Sequence, residues 1–173
     1  MSDKLEFTTV DRPLIEKAAE VMTIAKDKKM SFVTAESCTG GLLASVLSEA
    51  PGAGDWLQGG FVTYTKENKT AALGVPAELI ERHGLVSEEV AQAMAKGALE
   101  RTPADIALAI TGVAGPASDE DGTPVGTVHF AAARRDGKVL HVARSFGDIG
   151  RGPCRYASVE EALKLLERAT QGD

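Results

Sequence analysis

Apolar residues recur along the chain with two different periods. Over residues 11–28, Leu14, Ile15, Ala18, Met22 and Ala25 fall three and four apart, behind Asp11 as a cap and Pro13 in the first turn, which predicts a helix with one buried face. Ser31–Ala35 is a short apolar run and reads as a buried strand. It ends in Glu36-Ser37-Cys38-Thr39-Gly40-Gly41. Beyond the glycines, Leu42, Leu43, Val46 and Leu47 make one helical face, stopped by Pro51-Gly52-Ala53-Gly54. Residues 60–65 (GFVTYT) predict a second strand, and a short helix follows from near Lys66 to Gly74. Pro76 opens another short helix, and Ser87-Glu88-Glu89 begins a longer one that runs to about Leu99. The continuous apolar run 105–110 (DIALAI) marks a strand covered on both faces. After a polar loop, Gly112–Pro124, two strands (Val125–Arg134 and Lys138–Phe146) flank Asp136-Gly137, a two-residue hairpin signal. A last helix spans about Cys154 to Arg168.

Strands alternate with helices in the first two thirds and give way to a hairpin. That order predicts an α/β fold: a three-layer α/β/α sandwich with a mixed, partly parallel sheet. The length of 173 residues suits one domain, expected to occupy residues 1–173.

Charge narrows the function classes. With 19 basic against 25 acidic residues the net charge is −6, the wrong sign for coating nucleic acid, although a local pocket for one phosphate stays possible. No stretch reaches the roughly 18–20 apolar residues of a membrane span, and MSDKLEFTTVDRP lacks a signal peptide's pattern. Cys38 and Cys154 lie too far apart in sequence to suggest a disulfide framework or a zinc motif, so the expected setting is a reducing cytoplasm. A two-residue turn at Asp136-Gly137 pairs Arg135 with Lys138. It therefore sets His129 against Arg144 and His141 against Ala132, with no cross-strand histidine pair. With His83 in a loop before Gly84, the three histidines read as structural and no metal site is expected.

Four segments can carry chemistry. Glu36–Gly41 joins a buried strand to a helix, where glycines allow close approach of a ligand and the helix start offers unpaired N–H groups for a phosphate or an oxyanion. Ser37 is the hydroxyl there; a plain capping turn is the alternative. Cys38 is a rival nucleophile, lowered in pKa if it sits at the helix start, inert if merely buried. Tyr64–Lys69 (YTKENK) holds two lysines, Lys66 and Lys69, three apart on one helical face. A desolvated lysine can act as the neutral base that a serine needs; the alternative is a pair of solvated lysines. Thr111–Pro116 and Gly122–Thr127 form a glycine-rich loop leaving a buried strand, the place where open α/β sheets bind ligands. Its acidic tip, Ser118-Asp119-Glu120-Asp121, lacks calcium-loop spacing. Finally, Arg151 and Arg155, four apart at the start of the last helix, offer forked donors for a phosphate.

Taken together, TAESCTGG (34–41), GGFVTYTKENK (59–69), ALAITGVAGP (107–116) with GTPVGTV (122–128), and FGD (146–148) followed by two arginines resemble the CinA C-terminal domain family over roughly residues 14 to 168. The chain looks like the single-domain form of that family. The resemblance implies a nicotinamide-nucleotide amidohydrolase (NMN deamidase) that hydrolyses the carboxamide of nicotinamide mononucleotide to nicotinate mononucleotide and ammonia, with no cofactor and no metal. It puts the nucleophile on Ser37, the base on Lys69 and an assisting tyrosine on Tyr64. Backbone N–H groups near Thr39–Gly41 would hold the oxyanion. Glu36, Thr39, Gly40, Gly41, Thr111, Gly112, Gly115, Arg151 and Arg155 would contact substrate. Lys66 stands where the family usually has asparagine, so it shares the candidacy for base. A homo-oligomer without nucleic-acid or membrane partners is implied as well. A non-catalytic nucleotide sensor, or an interaction role in DNA uptake or damage response, are the other readings the resemblance leaves open.

Overall fold

The structure, a computed structural model, describes residues 10–172; most of the N-terminal stretch read for a leader lies outside them. The chain runs α1 (Arg12–Lys28), β1 (Phe32–Glu36), α2 (Leu42–Glu49), α3 (Ala53–Trp56), β2 (Leu57–Val62), α4 (Lys66–Leu73), α5 (Ala77–His83), α6 (Glu88–Glu100), β3 (Ile106–Gly112), β4 (Thr127–Arg134), β5 (Val139–Ser145) and α7 (Arg151–Gln171). The five strands form one sheet in the order β2-β1-β3-β4-β5. β1 is parallel to both β2 and β3, whereas β4 and β5 are added antiparallel. The expected mixed sheet is therefore present.

Period-two alternation divides the sheet residues between two cores. Phe32, Ile106, Leu108, Ile110, Val128 and Phe130 point to the face covered by α1, α2 and α7. Ala35, Ala107, Ala109, Ala131 and Ala133 point to the opposite face, beneath α6. Large side chains on one face and alanines on the other let α6, itself rich in alanine, lie close to the sheet. Gly97 extends this close packing outward: a Cβ there would meet the Leu73 carbonyl oxygen of α4 at 1.9 Å.

Several boundaries differ from expectation. β2 begins at Leu57 rather than residue 60, and the pairing slips between Phe32↔Leu57 and Val33↔Gly59, so Gln58 is an extra residue in a parallel bulge. Gly60, the first residue of the expected strand, and Gly59 before it both belong to β2, and Gly60 must pass Thr34; a Cβ would lie 2.4 Å from its Oγ1. Residues 63–65 leave the strand, and Thr65 caps α4 by accepting from the Asn68 N–H. The helix α3 lies where only a stop was expected, and α7 starts three residues early with Pro153 in its first turn. Asp11 occupies the cap position of α1 without capping it; its Oδ2 accepts from the Tyr156 hydroxyl at 2.8 Å.

The hairpin register corrects the histidine reading. The Gly137 N–H donates to Arg134 O at 3.0 Å and the Arg134 N–H to Lys138 O at 2.9 Å, so three residues, not two, make the turn. Gly137 takes φ +93°, as a bulged three-residue loop requires. The one-residue shift pairs His129 with Ala143 and His141 with Ala131. Both rings then share the α6 face as diagonal neighbours. Nδ1 of His129 lies 3.1 Å from Nε2 of His141, and Nδ1 of His141 lies 3.3 Å from Glu88 Oε2. His83 ends α5, 3.3 Å from Glu89 Oε1, rather than lying in a loop.

Among the described residues no helix is long and apolar enough to cross a membrane, and no group of three or more His, Cys, Asp or Glu side chains could hold a metal ion.

Candidate active site

β1 ends at the centre of the sheet between β2 and β3, and its alternation continues past the strand. Phe32, Thr34 and Glu36 face α2; Val33, Ala35 and Ser37 face the side of α4 and α6. The Ser37 N–H donates to Ile110 O at 3.0 Å, which holds this register at the first residue beyond the strand.

Glu36 is fully buried and collects five hydrogen bonds. Its Oε1 accepts from Thr34 Oγ1 at 3.2 Å and the Ala44 N–H at 2.8 Å. Oε2 accepts from Thr39 Oγ1 at 2.7 Å and from the N–H groups of Gly41 and Leu43, each at 3.1 Å. A carboxylate at the start of α2 takes up the otherwise unpaired N–H groups there and suits the helix dipole. Glu36 and Thr39 thus tie α2 to the sheet, and neither lines the cleft described below. Gly40 and Gly41 adopt φ +61° and +92°, consecutive left-handed residues that turn the chain from strand to helix.

That turn also decides which amides are available. The Gly40 N–H donates to Ser37 O at 3.0 Å and the Gly41 N–H to Glu36, so neither is free to hold an oxyanion. Within the expected Thr39–Gly41 stretch only Thr39 remains; its amide and that of its neighbour Cys38 donate to no other residue among the described ones.

On the other side, α4 carries Lys69 inward. Its Nζ donates to Ser37 Oγ at 2.9 Å and to Thr63 O at 2.8 Å. The side chain is 1% exposed. Burial holds its pKa down to about 8, because charge is disfavoured away from water and no carboxylate among the described residues compensates. Lys66 is different. Its Nζ pairs with Glu120 in solvent, and that pairing raises its pKa. The three-residue spacing does not place both lysines at Ser37; only Lys69 reaches it.

Cys38 falls on the α2 side of the alternation, packed in the same core as Cys154. Burial, chiefly, pushes its thiol up to about 12, so almost none of it is thiolate near neutral pH.

A cleft of about 220 Å³ opens over Ser37 and Lys69. Leu85, Val86, Val113 and Ala114 supply apolar wall, and Thr111, Gly112 and Gly115 lie along it. The Thr111 hydroxyl donates to Leu85 O at 2.9 Å and joins two walls. Tyr64 stands at the rim, 53% exposed, and its hydroxyl accepts from Arg151 Nη2 at 2.8 Å. Arg151 also donates from Nη1 to Gly115 O at 2.9 Å. Arg155 is turned away, giving Nη2 to Thr39 O at 2.7 Å. The two arginines therefore do not form one phosphate grip, because four residues of helix carry Arg155 under the Ser37–Gly41 turn.

Of the apolar wall, Val113 and Ala114 belong to the glycine-rich loop that the sequence marks, whereas Leu85 and Val86 do not stand out there. Leu85-Val86 sit between two helices with no periodic partner, so nothing local marks them. Asp119 lines the cleft as well and stood out only as one of three adjacent acids.

The profile of the CinA C-terminal domain matches residues 15–170. A CinA-like protein of Mycobacterium sp. (strain JLS) is 49% identical over 142 residues, which are 82% of this chain and 33% of that protein. One of Mycobacterium marinum is 47% identical over 150 residues, 86% of this chain and 34% of its own length. The chain thus spans about a third of the length of these curated relatives. Among solved structures, the competence/damage inducible protein CihA from Agrobacterium tumefaciens has a TM-score of 0.90 at 41% identity, covering 95% of this chain and 99% of that one. A competence-damaged protein (CinA) superfamily protein from Escherichia coli has a TM-score of 0.85 at 35% identity, covering 96% and 98%.

Proposed function

The chain belongs to the CinA C-terminal domain family, and from that premise we propose that it is an amidohydrolase converting nicotinamide mononucleotide to nicotinate mononucleotide and ammonia. One observation carries the reading: a buried lysine amine, with its pKa down to about 8, lies 2.9 Å from a serine hydroxyl on the floor of a cleft. A serine needs a base at hydrogen-bond distance, and a lysine serves only when neutral.

In this mechanism neutral Lys69 takes the proton of Ser37 Oγ as the oxygen attacks the carboxamide carbon. The amides of Cys38 and Thr39 receive the developing oxyanion. Lys69 then gives its proton to the departing nitrogen, and ammonia leaves. Water, deprotonated by the same amine, cleaves the acyl-serine. The apolar wall accepts the pyridine ring, whose positive charge disfavours a second cation and helps keep Lys69 neutral. Arg151 holds Tyr64 at the rim and is the cation available to the phosphate. A homo-oligomer working in the cytoplasm on this small molecule, without nucleic-acid or membrane partners, completes the proposal.

The test is ammonia release from nicotinamide mononucleotide, with a chelator present, by the wild type and by Ser37→Ala. Release by the wild type, reduced at least about 10³-fold in the variant, is expected. Binding without release would replace the enzyme by a nucleotide sensor.

A further inference from the structure

The loop between β3 and β4 crosses the cleft as a strap, and its three acids do different work. Glu120 pairs with Lys66 of α4, and Asp121 Oδ2 accepts from the Leu85 N–H at 3.3 Å. These two contacts tie the strap to both banks of the cleft. Arg151 ties its base through Gly115 O at 2.9 Å.

Asp119 lies between the ties and lines the cleft. Its Oδ1 accepts from the N–H groups of Thr123 at 2.8 Å and Asp121 at 3.1 Å, which locks the carboxylate in place. Its Oδ2 is shielded from solvent and has no donor among the described residues. An unpaired buried acceptor of this kind costs roughly 1–3 kcal/mol, more when charged, and calls for a partner.

We propose that Asp119 is a specificity-determining residue, whose Oδ2 accepts from the vicinal hydroxyls of a ribose bound in this cleft. The inference rests on the proposed nucleotide substrate and follows from its donors. The carboxamide must lie at Ser37, where its carbon is attacked. The phosphate carries only acceptors and belongs with Arg151. The pyridinium nitrogen bears no proton. The ribose hydroxyls are the donors that remain, and Asp119 Oδ2 is the carboxylate oxygen without a partner on a residue lining the same cleft as Ser37 and Arg151.

The test compares nicotinamide mononucleotide with its 2′,3′-dideoxy analogue, using the wild type, Asp119→Asn and Asp119→Ala. Asn keeps the Oδ1 acceptor that folds the strap and replaces Oδ2 by a donor. The wild type is expected to prefer the ribonucleotide by roughly 10- to 100-fold in kcat/KM, mostly through KM, and both variants to lose that preference. On the dideoxy analogue Asp119→Asn should lose far less than it does on the ribonucleotide. Equal losses on both substrates would overturn the proposal in favour of attraction to the pyridinium or a structural role, and no loss on the ribonucleotide would overturn it outright. If the wild type releases no ammonia from either compound, calorimetric binding of the two gives the same comparison. A ribose preference that disappears in Asp119→Asn then supports Asp119 while the amidohydrolase falls; no preference overturns both.

Discussion

Two buried ionisable side chains stand on opposite sides of the end of β1, and they are treated in opposite ways. Glu36 is enclosed by five donors, three of them the N–H groups that open α2. Lys69 is as deeply buried and has two acceptors, a hydroxyl and a carbonyl, neither charged. The first arrangement satisfies a charge and fastens a helix to the sheet. The second destabilises the charged form and leaves an amine easily deprotonated, as the base of the proposed mechanism must be. Under the proposed mechanism, stability and reactivity are thus divided between the α2 side and the α4 side of one strand end.

The comparison breaks most visibly in activity. Lys69→Met should lower kcat at least about 10³-fold while Ser37 stays in place. In the wild type, kcat/KM should rise about tenfold per pH unit and level off near the lysine's value of about 8, as the amine becomes neutral. A flat profile between pH 6 and 9 would remove Lys69 as the base.

On the opposite side, Glu36→Ala should cost about 3–5 kcal/mol, because it strands several buried donors at once. Urea unfolding of this variant measures that cost, and Glu36→Gln, which keeps two acceptor sites on one oxygen, should fall between it and the wild type.

A pH-dependent stability difference sharpens the contrast further. The folded pKa of Lys69, about 8, lies below its ordinary value of 10.5. Between these values the unfolded chain binds more protons than the folded one, so this lysine's contribution to stability rises with pH across the window. Below about 8 its full penalty applies. The stability of the wild type relative to Lys69→Met should therefore improve by about 3 kcal/mol from pH 7 to pH 11, as read by urea unfolding at each pH. The smallest effect is expected at Cys38. Cys38→Ala should leave turnover within about twofold of the wild type, since its thiol is protonated and packed on the α2 side. Loss of activity there, with survival in Ser37→Ala, would reverse the choice of nucleophile.

Much of this was legible in the sequence, for reasons particular residues show. The run DIALAI predicted a strand covered on both faces because no polar side chain interrupts it. Glycines after Ser37 predicted a strand-to-helix junction because few other residues turn the chain that way. Other features needed neighbours distant in sequence. Which of Lys66 and Lys69 reaches Ser37 depends on what surrounds each amine: solvent and Glu120 for one, Ser37 and Thr63 for the other. The histidine pair depended on a single residue of turn length, since a shift of one moves every cross-strand partner.

The alternation of elements, the mixed sheet and the short set of candidate residues can be read from the amino acids alone, because periodicity, turn glycines and functional groups are local properties. Packing was needed for Glu36 to cap a helix, for Arg155 to brace a turn while Arg151 reaches the cleft, and for Asp119 to keep an oxygen with no donor among the described residues. Burial and hydrogen-bond partnership are relations between segments, and they exist only once the chain has brought those segments together.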